Sequence, residues 1–383
     1  MPVIGTDYPR PMKTNPDQPS LTSRRTFIGQ AVTGAATLAF ASRLRAQAAA
    51  PKKLGIAIVG LGGYAHGQLA PALKLTQHVE VRGVVTGSPE KGKQWAQAFG
   101  FPETSIYSYA TMHQMADNRA IDLVYIVTPN SLHAEETIIA AQAGKHVISE
   151  KPFTTTVADA ERALAACRAA KVKISIGYRL HFDPFHQELK RLAREKDFGV
   201  LTKLTGANGF RMGKKVWRAD YKLAGGGPLM DMGVYCVQAA CMAADGAAPV
   251  AVTAREHPKT RPDTFTDVEE GLDWTMEFAN GAKAELMSSY TQNVGRFRAE
   301  GAAGWIELNP AFGYRGIKLS SSKPPMGLTE LVSQQALQMD DFALCVREGR
   351  ESRVSGEMGL RDMKIIEAIY EAMRTGKRTP VKV

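Results

Sequence analysis

Three residues that together can move a proton on and off a hydroxyl stand at Lys151, Asp231 and Tyr235. Tyrosine, with an ordinary pKa of about 10, is a poor base at neutral pH unless a neighbouring cation lowers that value. Lys151, in the run Glu150-Lys151-Pro152 behind the apolar stretch His146–Ser149, can bring the charge. Asp231 and Tyr235 are spaced i, i+4 after Gly225-Gly226-Gly227-Pro228. A glycine turn feeding a helix puts them on one face, where Asp231 can orient the ammonium or a substrate hydroxyl. Such a set suits acid–base work on a carbinol that loses a hydride. Taken singly, each residue also has a plain reading: a surface lysine, a carboxylate favoured by a helix N-terminus, a core aromatic.

The hydride needs an acceptor, and Gly60-Leu61-Gly62-Gly63-Tyr64-Ala65 has the spacing of a dinucleotide-binding turn. An apolar strand enters it and a helix opens at Ala65, the context this motif requires. Gly60 allows the tight turn, and Gly62 lets backbone approach a pyrophosphate at the positive end of the helix. After the next strand the chain reads Val85-Thr86-Gly87-Ser88-Pro89-Glu90-Lys91. No acidic residue occupies the strand tip, where NAD enzymes place one against the ribose. Thr86, Ser88 and Lys91 instead suit a 2′-phosphate, so NADP is expected over NAD. Ser88 and Lys91 also read as an N-cap and a solvated helix face.

Positioning these groups takes two kinds of architecture. Short apolar runs at 55–59, 80–85, 123–127, 146–149 and 173–176 alternate with helix-period segments near 65–75, 89–99, 132–143 and 157–170. That alternation predicts a doubly wound parallel sheet, a Rossmann domain, over 53–177. Beyond it the pattern changes to a helix near 184–195 and strands at 201–206, 250–256, 273–278, 282–289 and 305–308. Clustered strands predict a second, mostly antiparallel α+β domain over 178–383, and so an α/β protein of two domains. Two amphipathic helices over 339–374 close the chain, placed to pack back on the first domain.

The first 48 residues read as a twin-arginine export signal: Ser23-Arg24-Arg25-Thr26-Phe27-Ile28, an uncharged run to Ser42, then Ala46-Gln47-Ala48 as the cleavage site. The run is too short and too weakly apolar for a stable membrane span. A periplasmic location follows, with the twin-arginine translocation machinery as a partner. The formal charge of +10 includes six basic and two acidic residues in this segment, leaving +6 scattered over the rest. Scattered charge does not point to nucleic acid. Cys167, Cys236, Cys241 and Cys345 sit in apolar helix-like stretches without metal-ligand spacing, and read as buried free thiols.

From Leu54 to the C-terminus the chain resembles the Gfo/Idh/MocA oxidoreductases, and their glucose-fructose oxidoreductase branch in particular. The resemblance rests on the Gly60 turn, Thr128-Pro129-Asn130-Ser131-Leu132-His133-Ala134-Glu135, Gly144-Lys145-His146-Val147 leading into Glu150-Lys151-Pro152, and Gly177-Tyr178-Arg179-Leu180-His181-Phe182-Asp183-Pro184. Most members end an Asp-x-x-x-His motif in histidine; that branch ends it in tyrosine, as at Tyr235. The resemblance implies a large open sheet beside the Rossmann domain, and a homodimer or homotetramer. It implies that Lys151, Asp231 and Tyr235 do the work and that Thr86 and Lys91 hold the phosphate. Thr128, Asn130, His133, Glu150 and Arg179 would border the cofactor, and Tyr178, Trp217, Arg218 and Tyr314 the substrate.

The reaction so implied is oxidation of an aldose at C1 to a lactone, coupled on one non-dissociating NADP to reduction of a second sugar to a polyol. An NAD-dependent glycosidase, another sugar-modifying member and a non-catalytic sugar-binding scaffold are the alternatives. One departure concerns retention. In that branch a proline-bearing N-terminal arm helps to cover the cofactor, whereas here only Ala49 to Lys53 separate the cleavage site from the first strand.

Overall fold

A computed structural model describes residues 52–323, 327–330 and 333–383. The export signal and its cleavage site lie outside the described residues.

The first sheet runs β3-β2-β1-β4-β5-β6, all parallel: β1 Leu54–Val59, β2 Val79–Val85, β3 Ile106–Tyr107, β4 Leu123–Ile126, β5 His146–Ser149 and β6 Ile174–Ile176. Its central strands are apolar without interruption because helices cover both faces. In β1, Ala57 and Val59 point to one side, with Ala140, Ala163 and Leu164. Ile56 and Ile58 point to the other, with Leu69, Trp95 and Phe342. The covering helices are α1 (Ala65–Leu69, π-type, continuing as Ala70–Leu73), α2 (Pro89–Phe99), α3 (His133–Gln142) and α4 (Val157–Ala169). The strand order reverses between β1 and β4, and the crevice that opens there is where ligands of such sheets bind.

The second sheet has eight strands, β7 (Leu201–Gly209), β8 (Ala251–Glu256), β9 (Gly271–Glu277), β10 (Lys283–Ser289), β11 (Val294–Gly301), β12 (Gly304–Leu308), β13 (Leu319–Ser321) and β14 (Thr379–Pro380), in the order β13-β12-β11-β7-β10-β9-β8-β14. Only β7 and β10 pair in parallel; every other neighbour is antiparallel. Helix α5 (Pro184–Arg194) precedes it, a single turn α6 (Tyr221–Ala224) follows β7, and α7 comes next: a π-type turn Leu229–Gly233 that continues as Val234–Ala243. Beyond Tyr235, α7 is buried on every side and apolar apart from Gln238, as suits a helix covered all round. It lies on β7, β10 and β11 and against α5.

Of the last two helices, α8 (Gln334–Glu348) returns to the first sheet, where Met339, Phe342, Ala343 and Cys345 join the core around Ile56 and Leu69. Its Asp340 carboxylate accepts from the Gln77 and His78 backbone N–H groups. Helix α9 (Gly356–Thr375) packs on α4 and β8 (Ala251–Glu256). Lys53–Val383 thereby forms a single compact unit holding both sheets. All four cysteines are buried free thiols.

Four strands were not foreseen in the sequence: β3, β11 and the short edge strands β13 and β14. β3 is only two residues long. β11 (Val294–Gly301) buries Phe297 and Ala299 but carries Arg296, Arg298 and Glu300 on its other face.

Candidate active site

A cleft of about 810 Å³ runs from the Gly60 turn to the start of α7. At one end the carboxyl edges of β1 and β2 provide Gly60, Gly62, Gly63, Tyr64, Thr86, Ser88 and Lys91. Gly60 has φ +95°, and a Cβ there would fall 2.9 Å from Thr128 Cγ2, so the turn and its close approach both require glycine. A Cβ at Gly62 or Gly63 would meet nothing within 4 Å. The open space above them lies at the head of α1, whose first N–H groups have no partner within the helix. A pyrophosphate therefore fits there. Ala65 is fully buried beneath the turn and does not line the cleft.

The β2 tip is a local hydroxyl turn. Thr86 Oγ1 accepts from Ser88 N at 3.1 Å, and Ser88 caps α2. Both readings of Ser88 therefore coexist, since it is the N-cap and also lines the cleft. Tyr109 faces this corner beside Gly87 and was not foreseen; it follows the two-residue β3, which has no periodicity to announce it.

The middle of the cleft is a brace between two loops. His133 lies between the carbonyls of Thr128 (Nε2, 3.0 Å) and Pro152 (Nδ1, 2.9 Å), and burial lowers its pKa. Thr128 Oγ1 donates to the buried Glu136, whose pKa burial pushes up to about 7 against that hydrogen bond. Asn130 Nδ2 donates to Ala224 O at 2.9 Å and so ties the β4 loop to α6. Glu150 turns inward: Tyr125 Oη donates to it at 2.8 Å, and burial raises its pKa although Lys151 opposes the shift. These residues shape the cleft more than they reach into it.

At the far end the three acid–base candidates meet. Lys151 Nζ donates to Asp231 O at 2.8 Å and to Asp231 Oδ1 at 3.3 Å, and lies 4.9 Å from the Tyr235 ring centroid. Burial disfavours the Lys151 ammonium, but Tyr235, Asp231 and Glu150 outweigh it and raise the pKa. Burial likewise disfavours the Asp231 carboxylate, yet Lys151 and Arg218 hold its pKa below the usual range. Arg218 Nε sits 2.9 Å from Asp231 Oδ2, with its guanidinium 4.6 Å from the Trp217 ring centroid. Tyr290 Oη donates to the same oxygen at 3.2 Å. Asp231 is thus a charged anchor with three partners. Tyr290, at the end of β10, was not foreseen, because 59 residues of sequence separate it from the aspartate.

Arg179 is buried and ties the loop above to the head of α8: Nη1 donates to Gly313 O at 2.9 Å and to Gln334 Oε1, and Nη2 to Phe312 O at 2.7 Å. Its guanidinium lies 4.3 Å from the Tyr314 ring centroid and 5.1 Å from that of Tyr235. Tyr314 in turn meets Tyr64 of the dinucleotide turn at 6.1 Å between centroids. Tyr178 is a correction. Expected on the substrate side, it is buried away from the cleft beside His181, because adjacent residues in this turn point in different directions. Phe210 and Phe312 add apolar walls that the sequence did not announce.

A parallel sheet ordered 3-2-1-4-5-6, a glycine cradle at its switch point and a lysine–aspartate–tyrosine cluster at the end of the same cleft define a dinucleotide-dependent oxidoreductase. Residues 54–178 match the oxidoreductase family with an NAD-binding Rossmann fold, and residues 186–307 match the GFO/IDH/MocA C-terminal domain. The chain belongs to the Gfo/Idh/MocA family.

Among curated relatives, the NADP(+) D-xylose 1-dehydrogenase of Haloarcula marismortui is 29% identical over 340 residues, covering 86% of this chain and 93% of that one. The NAD(+) scyllo-inositol 2-dehydrogenase of Bacillus subtilis is 27% identical over 339 residues, covering 84% and 94%. Among solved structures, aldose-aldose oxidoreductase from Caulobacter crescentus, complexed with glycerol, superposes with a TM-score of 0.83 at 40% identity, covering 86% of this chain and 100% of that one. Levoglucosan dehydrogenase in complex with NADH and levoglucosan shares the fold, with a TM-score of 0.74 at 21% identity and coverage of 87% and 100%.

Proposed function

We propose that this chain is an exported sugar oxidoreductase that runs two half-reactions on one carried NADP. The observation that carries the reading is the Lys151–Asp231–Tyr235 cluster, set where the dinucleotide cleft opens to Trp217 and Arg218. A structural relative at 40% identity bears the name aldose-aldose oxidoreductase, and a curated one is named for D-xylose and NADP(+). When bound, a nicotinamide supplies the hydride acceptor for one sugar and the donor for the next.

In the oxidative half, Tyr235 takes the proton of the aldose C1 hydroxyl as that carbon loses its hydride, and a lactone leaves. Lys151, kept cationic by Asp231, supports negative charge on the tyrosine oxygen, and Asp231 is itself held in place by Arg218 and Tyr290. In the reductive half, Tyr235 returns the proton to the carbonyl oxygen of a second aldose, and an alditol leaves. Hydride and proton each come from the first sugar and end on the second, so no free cofactor is consumed.

NADP is favoured by the corner of Thr86, Ser88 and Lys91, which has no carboxylate at the strand tip. Its retention is supported by Tyr64 and Tyr314 meeting across the cleft, with Arg179 fixing the Tyr314 loop. The segment Ser23–Ile28 and the site near Ala48 support export by the twin-arginine route to the periplasm. A groove lined by Thr205, Thr253, Arg255, Asp273, Glu285 and Arg296 crosses one face of the second sheet, and that face is the proposed contact of a homodimer or homotetramer.

Product analysis tests the chemistry. Purified protein given mixed aldoses and no added dinucleotide is expected to form lactone and alditol in equal amounts. Strict dependence on added NADP, or release of an aglycone from a glycoside without net oxidation, would overturn the reading.

A further inference from the structure

The three glycines ahead of α7 have no part in the chemistry, yet each is pressed against a different element. Gly225 has φ +74° as it ends α6, and a Cβ there would fall 2.6 Å from Thr155 Cβ in the loop after Lys151. A Cβ at Gly226 would fall 2.0 Å from Tyr370 Oη on α9. One at Gly227 would fall 2.2 Å from Glu269 O, in the segment just before β9 (Gly271–Glu277). The turn is therefore the point where three separate parts of the fold are drawn together.

A buried carboxylate ties the turn to two of them, its own segment and α9. Glu269 is 4% exposed, and its Oε2 accepts from Gly227 N at 2.9 Å. Its Oε1 accepts from Leu229 N at 3.0 Å and from Tyr370 Oη at 2.9 Å. Leu229 is the first residue of the π-type turn, and Asp231 and Tyr235 follow on the same helix. A carboxylate bonded to two N–H groups at that end fixes where the helix begins and how it is rotated. Two residues later Lys151 bonds both the backbone carbonyl and the side chain of Asp231, so any rotation of the helix start changes the spacing of lysine, aspartate and tyrosine.

We propose that Glu269 and Tyr370 are positioning residues for the reaction: the carboxylate–hydroxyl pair sets the start of α7 and, through it, the approach of Tyr235 to Lys151. This rests on the reading of Lys151, Asp231 and Tyr235 as the working groups. Neither Glu269 nor Tyr370 lines the cleft, so the pair acts through the helix and touches neither sugar nor cofactor.

The test uses the full protein loaded with NADP and compares Glu269→Gln, Tyr370→Phe, the double variant and Tyr235→Phe. In each, kcat and KM for an aldose, the pH profile of kcat, the Kd for NADP by fluorescence and the melting curve are measured. Glu269→Gln is expected to lower kcat about tenfold or more while KM and the NADP Kd change less than about threefold, and to move the pH limb of kcat. Tyr370→Phe should lower kcat about threefold, and the double variant should be no worse than Glu269→Gln alone, because the hydroxyl acts through the carboxylate. A folded Glu269→Gln or Tyr370→Phe protein with wild-type kcat and pH profile overturns the positioning role, as does a loss confined to melting temperature. If Glu269→Gln does not fold, Tyr370→Phe, which removes one oxygen, decides alone. Wild-type activity in Tyr235→Phe would instead overturn the reading of the site itself.

Discussion

The two ends of the cleft are built differently. At the nicotinamide end every charged group has several partners: Asp231 has Lys151, Arg218 and Tyr290, and Arg179 has two carbonyls and Gln334. At the adenosine end Ser88 caps a helix, Thr86 closes a small turn, and Lys91 and Tyr109 stand exposed. A buried charge is tolerated only when paired, so the first end is held in one arrangement by the cost of disturbing it. The second end owes its shape to local turns that many sequences can form. The acid–base geometry is thus held by paired, buried charges, while the corner proposed to choose the cofactor rests on local turns and exposed side chains.

The contrast predicts effects of different sizes. The largest falls on Tyr235: Tyr235→Phe should lower kcat about 10³-fold with the NADP Kd unchanged, and Lys151→Met by about 10²-fold or more. The two together should cost little beyond Tyr235→Phe alone, whereas additive losses in the cycle would show that they do not act as a unit.

Between the ends, Glu136 probes the wall that carries Thr128. With its pKa pushed up to about 7 in the fold, the native state keeps a proton between pH 4.5 and 7 that the unfolded chain has lost. Stability therefore falls as pH rises through that window, by up to about 3 kcal/mol. Glu136→Gln should be more stable than wild type at pH 8 and close to it at pH 4.5, as read by urea unfolding. Equal stability differences at both pH values would remove the buried-proton explanation.

Lys91→Ala probes the thin end, with an expected tenfold weakening of NADP binding and little change for NAD. Equal weakening of both dinucleotides would remove the phosphate role. Smallest of all, Tyr314→Ala should speed NADP release about threefold, measured by stopped-flow fluorescence with excess NAD as competitor. An unchanged rate would leave the tyrosine pair without a part in retention.

The difference between the ends also explains what was legible in the sequence. The Gly60 turn, the β2 tip and the Glu150-Lys151-Pro152 run are local, and their spacing alone puts them at strand ends. The alternation of apolar runs marked most strands of both sheets. β11 escaped because Arg296, Arg298 and Glu300 face outward and dilute its apolar pattern, and β3 because two residues have no period. Tyr178 was misplaced by adjacency to Arg179, since neighbours in sequence need not share a face. Tyr290 and Glu269, which hold the aspartate and the start of its helix, come from strand ends of the second sheet far along the chain. No spacing rule reaches that far, and only the folded chain brings them to the site.

The central claim is that one cofactor stays with the protein while two sugars take turns. Absorbance at about 340 nm of the purified protein, loaded with NADP and freed of unbound dinucleotide, tests it most directly. Adding an aldose should produce reduced nicotinamide up to one per chain; adding a second reducible sugar should discharge it, with none passing an ultrafiltration membrane at either stage. Reduced cofactor appearing in the filtrate, or no absorbance change with any aldose, would contradict the account.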